Sequence, residues 1–288
     1  MIGFLSAITA VYFWTFACSI WSRESEKLLP RQINIYKNLL ASIFFLPAVL
    51  TISWFSDLSS ICILIVSGIV GIAIGDTLYI NSLKIIGTRK TLSFEALTPI
   101  IATLLGAVSI NEIYPQKVWI GSFMVSFSLL MIVHQNTNNK DQSRDIKIVG
   151  MFYALGSVFC AVFAALMSRM ILINSTLTPF EATEIRLLSS SIFLFLIFKK
   201  DFLNLLSTRS ITRKNHANLF LSTLLGTNLC ILFQQIVFKS FPIGIGWTLL
   251  SLSPLFSLFI SKREKERINK FTIIYSILSI LGVGITLI

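Results

Sequence analysis

Apolar residues run along this chain in stretches of about twenty, broken by short clusters of charged and small polar residues. About 20 apolar residues cross the hydrocarbon core of a bilayer as a helix, and windows of that kind sit near 3–21, 33–52, 60–82, 92–110, 118–134, 149–168, 180–198, 217–238, 245–261 and 271–288. The pattern predicts an all-α integral membrane protein with ten transmembrane helices. The first window starts at the first residue but has neither a basic flank nor a small-residue cleavage site, so it reads as a retained helix rather than a secretion signal. The longest connection, between Lys199 and His216, is too short for a soluble catalytic domain.

Two windows carry a cation at the same place. Pro30 to Phe44 reads PRQINIYKNLLASIF and Pro179 to Phe193 reads PFEATEIRLLSSSIF. A shift of 149 residues lays Pro30 on Pro179, Lys37 on Arg186, Leu39 on Leu188 and Ser42-Ile43-Phe44 on Ser191-Ile192-Phe193. A Lys or Arg at mid-helix costs about 2.5 to 3.5 kcal/mol on insertion scales, so its presence in both stretches points to a polar cavity between two halves. Further on, a shift of 155 residues pairs Ser67 with Ser222, Gly71 with Gly226, Lys84 with Lys239, Leu97 with Leu252 and Pro99 with Pro254. Five spans per half is an odd number, so the second copy runs through the membrane in the opposite sense, as two inverted five-helix repeats. The halves expected are 1–134 and 148–288, joined by the polar linker 135–147, which contains NTNNKDQSRD.

Composition agrees, with 55% hydrophobic and only 13% charged residues and a mean hydropathy of +0.81. The net charge of +11 invites a nucleic-acid reading, but in such a chain basic residues report orientation first. One set of alternate loops holds Arg23, Lys27, Arg31, Arg89, Lys90, Lys140, Arg144, Lys147 and the clusters at 199–214 and 262–270, whereas the other holds little beyond Lys117 and Arg169. The positive-inside rule makes the crowded loops cytoplasmic and puts both termini outside, on the same side. Cys18, Cys62, Cys160 and Cys230 fall inside spans at no metal-ligand or redox spacing and read as packing residues.

The segment Gly75 to Glu112, GDTLYINSLKIIGTRKTLSFEALTPIIATLLGAVSINE, resembles the third and fourth helices of the EamA-type domain of the drug/metabolite transporter superfamily. The resemblance rests on a small residue and an aromatic before a short loop, on Leu97-Thr98-Pro99 and on Glu112. In the second half, Leu252-Ser253-Pro254 repeats the Leu-x-Pro element, and Glu266 stands one residue before the position that the repeat expects. The basic residue of the second helix in such domains matches Lys37 and Arg186. This likeness implies a ten-helix transporter, often of amino acids, metabolites or toxic compounds, with nucleotide-sugar, sugar-phosphate and lipid-linked-sugar carriers among its relatives. It also implies termini in the cytoplasm, opposite to the charge count.

The polar residues inside the spans are the candidate machinery. Lys37, with Asn34 one turn before it, and Arg186 are expected to bind substrate carboxylate or phosphate, with Asn228 and Gln235 of the eighth span as further substrate-binding groups. Asp76 and Glu184 are the proton-coupling candidates, although Asp76 equally suits a structural partner for Lys37 or Lys84. Glu95, close to Arg89 and Lys90, is expected in an interfacial salt bridge. Pro99 and Pro254 each remove a backbone hydrogen bond and serve as paired helix hinges.

An enzyme is not expected, because the chain has two histidines, His134 and His216, and no acidic pair inside a span to hold catalytic metal. Neither metal nor cofactor is expected, and a phosphate-binding loop for ATP is missing. The reading is a secondary-active exporter of small anionic or zwitterionic metabolites, working by alternating access in a bacterial inner (plasma) membrane. Its partners are the small-molecule substrate, the lipid bilayer and a coupling proton, without nucleic acid. A flippase for a lipid-linked substrate and a transport-inactive membrane scaffold are the alternatives.

Overall fold

A computed structural model describes residues 1–54, 57–134, 144–201, 203, 213–253, 255–256 and 270–288. The hinge proline Pro254, Glu266, most of the polar linker and the basic cluster at 262–269 lie outside the described residues. The first half consists of α1 (Ile2–Glu24), α2 (Pro30–Phe45), α3 (Leu58–Gly68), α4 (Asp76–Phe94), α5 (Thr98–Ser109) and α6 (Gln116–His134). Among the described residues, the second holds α7 (Arg144–Asn174), α8 (Pro179–Ile197), α9 (Arg213–Thr223), α10 (Cys230–Ser240), α11 (Ile243–Leu250) and α12 (Lys270–Leu287). Among the described residues six helical stretches are long and apolar enough to cross a membrane. The protein is an all-helical membrane protein.

Helix starts follow local chemistry. Pro30 and Pro179 stand at the first turns of α2 and α8, where a missing N–H costs nothing. Thr178 and Glu181 close a reciprocal capping box on α8. Gly87 ends the third expected span at φ 81°, a conformation glycine adopts readily, and the chain turns there inside α4. α7 begins at Arg144, so the last four residues of the expected linker are helical; nothing in Arg144-Asp145-Ile146-Lys147 breaks a helix.

Two departures from α geometry carry the architecture. Ile69–Gly75 joins α3 to α4 as a π-helix, and Leu224–Leu229 joins α9 to α10 in the same way. The two start 155 residues apart, the spacing of the second sequence match. π-helical turns are rare and concentrate at functional sites. The first packs on α7, and the second packs on α1, so each half lays its first helix against the widened turn of the other. Glycine makes both contacts possible. A Cβ at Gly71 would come 2.6 Å from the Cβ of Ala164, and one at Gly226 would come 2.2 Å from the Cβ of Ala17.

The cation helices α2 and α8 run antiparallel. Arg31 pairs with Asp201 near the start of α2, Ile35 clusters with Leu194 farther along, and Phe45 meets Phe180 at its end. Between these, Ser42 Oγ lies 2.9 Å from Ser191 Oγ, two residues 149 apart in sequence. Residues matched by the sequence shift therefore touch each other. α6 and α12 are likewise antiparallel: Gly121 meets Thr286 and Gly282, and Phe127 meets Tyr275. Small residues bring these backbones close, which is how helices gain packing energy in lipid.

Gly226→Ala should lower the thermal stability of the purified protein by about 1–3 kcal/mol through overpacking against Ala17. Gly284→Ala in α12, where a Cβ would meet nothing within 4 Å, should leave it unchanged or higher. Heat denaturation of the two variants in the same detergent checks the contrast.

Candidate functional site

Between the halves lies a cavity of about 80 Å³, room for several waters. Its polar wall comes from both halves. Asp76 and Tyr79 descend from the first π turn, Glu95 and Thr98 from the start of the fourth span, Trp14 from α1, Arg186 from α8, Gln234 from α10, Trp247 from α11, and Ser253 follows it.

Lys37 does not reach the wall itself. Its ammonium is fully buried, is paired with the Asp76 carboxylate and stands 5.1 Å over the Trp21 ring. The π turn ends one residue before Asp76, which fixes that carboxylate between Lys37 behind it and the cavity in front. The structure thus unites two residues that the sequence presents 39 apart.

Arg186 is different. It is 5% exposed, and its Nε and Nη1 have no hydrogen-bond partner. Its backbone is held against Gly68, where a Cβ would come 2.4 Å from the Arg186 carbonyl oxygen, and its Nη2 lies over Gly71. The glycines make room for the guanidinium, and Asp76 stands on the same wall.

Glu95 corrects the expectation of an interfacial salt bridge. Its carboxylate accepts a 2.8 Å hydrogen bond from Trp14 Nε1, with the Tyr79 and Ser253 hydroxyls within reach, and it lines the cavity. The short 3-10 segment Glu95–Leu97 before Thr98 and Pro99 turns it inward. The sequence signal is Glu95 standing one turn before Pro99 of the Leu-x-Pro element, but the nearby Arg89 and Lys90 offer a simpler partner.

The three amides expected to bind substrate sit off the wall. Asn34 Nδ2 donates to the carbonyls of Ile72 and Ala73 and to Thr77 Oγ1, stitching α2 to the π turn. Asn228 Nδ2 donates to the Ala41 carbonyl from the second π turn. Gln235 is fully buried with neither amide atom paired, while its neighbour Gln234 faces the cavity. Glu184 is fully buried with both oxygens unpaired, also off the wall. Pro99 stands at the first turn of α5, the position where proline costs no helical hydrogen bond.

At one end of the helices a polar cluster ties the two halves together. Arg169 Nε donates to Glu112 Oε1 at 2.9 Å, and Nη1 donates to the Phe238 and Lys239 carbonyls that end α10. Glu112 Oε2 accepts from the Ile243 N–H at the start of α11, a carboxylate on a helix N-terminus. Tyr114 donates to the same oxygen; burial pushes its phenol above the ordinary value, so it stays the donor. Glu112 and Tyr114 come from the first half, and Arg169 and Ile243 from the second. At the other end, Glu24 of α1 accepts from Asn215 and Asn218 of α9, again across the halves.

The family model of the EamA-like transporter family matches residues 1–134 and again residues 148–288. The chain belongs to the EamA-like transporter family. It is also 24% identical over 293 residues to an uncharacterized transporter of Archaeoglobus fulgidus, covering 98% of each chain. Among solved structures, a crystal structure at 13% identity superimposes with a TM-score of 0.75, covering 98% of this chain and 95% of the other, which shows a shared fold. Membership makes this chain a multi-pass membrane transporter, and points away from an enzyme.

Removing one member of a buried ion pair strands the other and costs about 3–5 kcal/mol, whereas replacing both with apolar groups is often neutral. Lys37→Met should therefore destabilise this EamA protein strongly, and adding Asp76→Leu should restore most of the loss. Thermal unfolding of the single and double variants in detergent measures both.

Proposed function

We propose that this EamA-family chain is a secondary-active exporter of small zwitterionic metabolites, with α-amino acids as the simplest members, working by alternating access between two inverted five-helix halves in a ten-helix fold. The single observation that carries the substrate class is the pair of unpartnered Arg186 N–H groups on a cavity that also holds Glu95. A buried guanidinium with free donors calls for a planar anionic group such as a carboxylate. Glu95 offers the counter-charge for an ammonium. Trp14, Tyr79 and Trp247 supply apolar walls, so a hydrophobic side chain would be tolerated there.

The antiparallel α2 and α8, the Ser42–Ser191 contact and the exchanged first helices support the inverted repeat. Such halves rock about the site between them. With the halves tied by the charged Glu112–Arg169 cluster at one end, access would come from the opposite end, where neutral amides hold Glu24 and the basic loops gather, and the direction of movement would be outward from the cytoplasm.

A thermal-stability screen of the purified protein against neutral amino acids, dicarboxylates and sugar phosphates tests this reading. A bound ligand at about 100 times its dissociation constant should add roughly 2.7 kcal/mol. Stabilisation by neutral amino acids is expected for the wild type and should vanish in Arg186→Gln and Glu95→Gln. Stabilisation by dicarboxylates or phosphates that survives Glu95→Gln would replace the zwitterion with an anion.

A further inference from the structure

Among the described residues, Glu184 and Gln235 are a buried carboxylate and a buried carboxamide that neither line the cavity nor make a side-chain hydrogen bond. Both are at 0% exposure, and all four of their side-chain polar atoms lack a partner. Their places on the fold bring them together. α8 and α10 pack against each other. Lys239, at the end of α10, donates from Nζ to the Leu177 carbonyl just before α8, at 3.4 Å. Two turns back along α10, Ile231 joins a buried cluster with Leu187 of α8. The helices are antiparallel, so Gln235, one turn from Ile231, and Glu184, one turn from Leu187, stand at about the same level of the two packed helices.

An ionised carboxylate so enclosed, with no donor, would cost many kcal/mol, and groups in that position take up a proton instead. Among the described residues, the charges on the packed elements are committed elsewhere. Lys37 holds Asp76, Asp57 at the start of α3 accepts from the Ser60 N–H, Arg169 holds Glu112, Lys239 is on Leu177, Glu181 caps its own helix and Arg186 turns to the cavity. None neutralises Glu184. The three available oxygens, two from Glu184 and one from Gln235, are too few for an alkali or alkaline-earth ion, which takes six or more. They suit a proton.

We propose that Glu184 and Gln235 form a proton-binding site separate from the substrate cavity. With the proton on, turning the soft terminal torsions lets the Glu184 O–H donate to Gln235 Oε1 while Gln235 Nε2 donates to the second carboxyl oxygen, leaving a neutral reciprocal pair. With the proton given to water, a carboxylate remains that needs solvent. Gln235 stands one turn before Phe238 and Lys239, whose carbonyls hold Arg169, so release of the Glu112–Arg169 contact would supply the water and its closure would favour the protonated pair. Use of this step as the drive rests on the transport reading above; the binding of the proton does not.

Infrared difference spectroscopy on the full chain in lipid bilayers, titrated from mildly acid to mildly alkaline buffer, tests the site without any substrate. The wild type should show a protonated-carboxyl band that disappears as the pH rises. Glu184→Gln, an isosteric change checked for monodispersity by gel filtration, should lack that band at every pH. Gln235→Leu should keep the band but move it to the frequency of an acid without a hydrogen-bond partner. A wild type and Glu184→Gln with the same titrating bands would overturn the proposal, as would a Glu184 band that never titrates or one indifferent to Gln235→Leu. Failure of every amino acid in the ligand screen would sink the substrate reading and leave these spectra unaffected.

Discussion

Lipid offers no water to a stranded charge, and the Lys37–Asp76 pair is where this protein meets that constraint. The ammonium is sealed from solvent by Trp21 and by the carboxylate, and the carboxylate's free edge faces the cavity. The pair depends on the π turn before Asp76, and that turn depends on Asn34, whose amide takes up the carbonyls of Ile72 and Ala73. Glycines at 68, 71 and 75 then let α8 and α7 close on the turn, which sets Arg186 against the same wall. A single electrostatic debt thereby fixes the position of four elements.

The matched cations have different fates. Lys37 is neutralised by its own half, while Arg186 keeps two free donors. The two matched positions thus differ in chemistry, and among the described residues Arg186 is the cation that faces the cavity with free donors. An asymmetric site can distinguish the two ends of a zwitterion. It could not do so if both cations were paired alike.

The two ends of the helix bundle are held by different interactions. At one end a charge cluster of Glu112, Arg169 and Tyr114 joins a helix end to a helix start. At the other, Glu24 is held by neutral amides, with the partly exposed Arg31–Asp201 pair nearby. An exposed pair contributes little, whereas a half-buried cluster capping two helices binds more firmly. The two contacts between the halves therefore differ in what it costs to break them.

The apolar runs of the chain determined the membrane class, and the spacing of Pro30 and Pro179 and of Lys37 and Arg186 displayed the internal likeness that the doubled family match reproduces, because span length and helix starts are local properties. The polar residues were legible as residues worth watching, since a charge inside an apolar run is costly wherever it points. Their roles were not. Whether Asp76 answered Lys37 or Lys84, whether Glu95 turned to Arg89 or to Trp14, and which of Gln234 and Gln235 met the cavity depended on helix rotation and on contacts between residues up to two hundred positions apart. A π turn shifts every later side chain around its helix by most of a step, and no hydrophobic pattern reports it. Only the packed structure, in which Gly71 and Gly226 fix those turns against the opposite half, decided which polar groups were spent on holding the fold and which remained free to act.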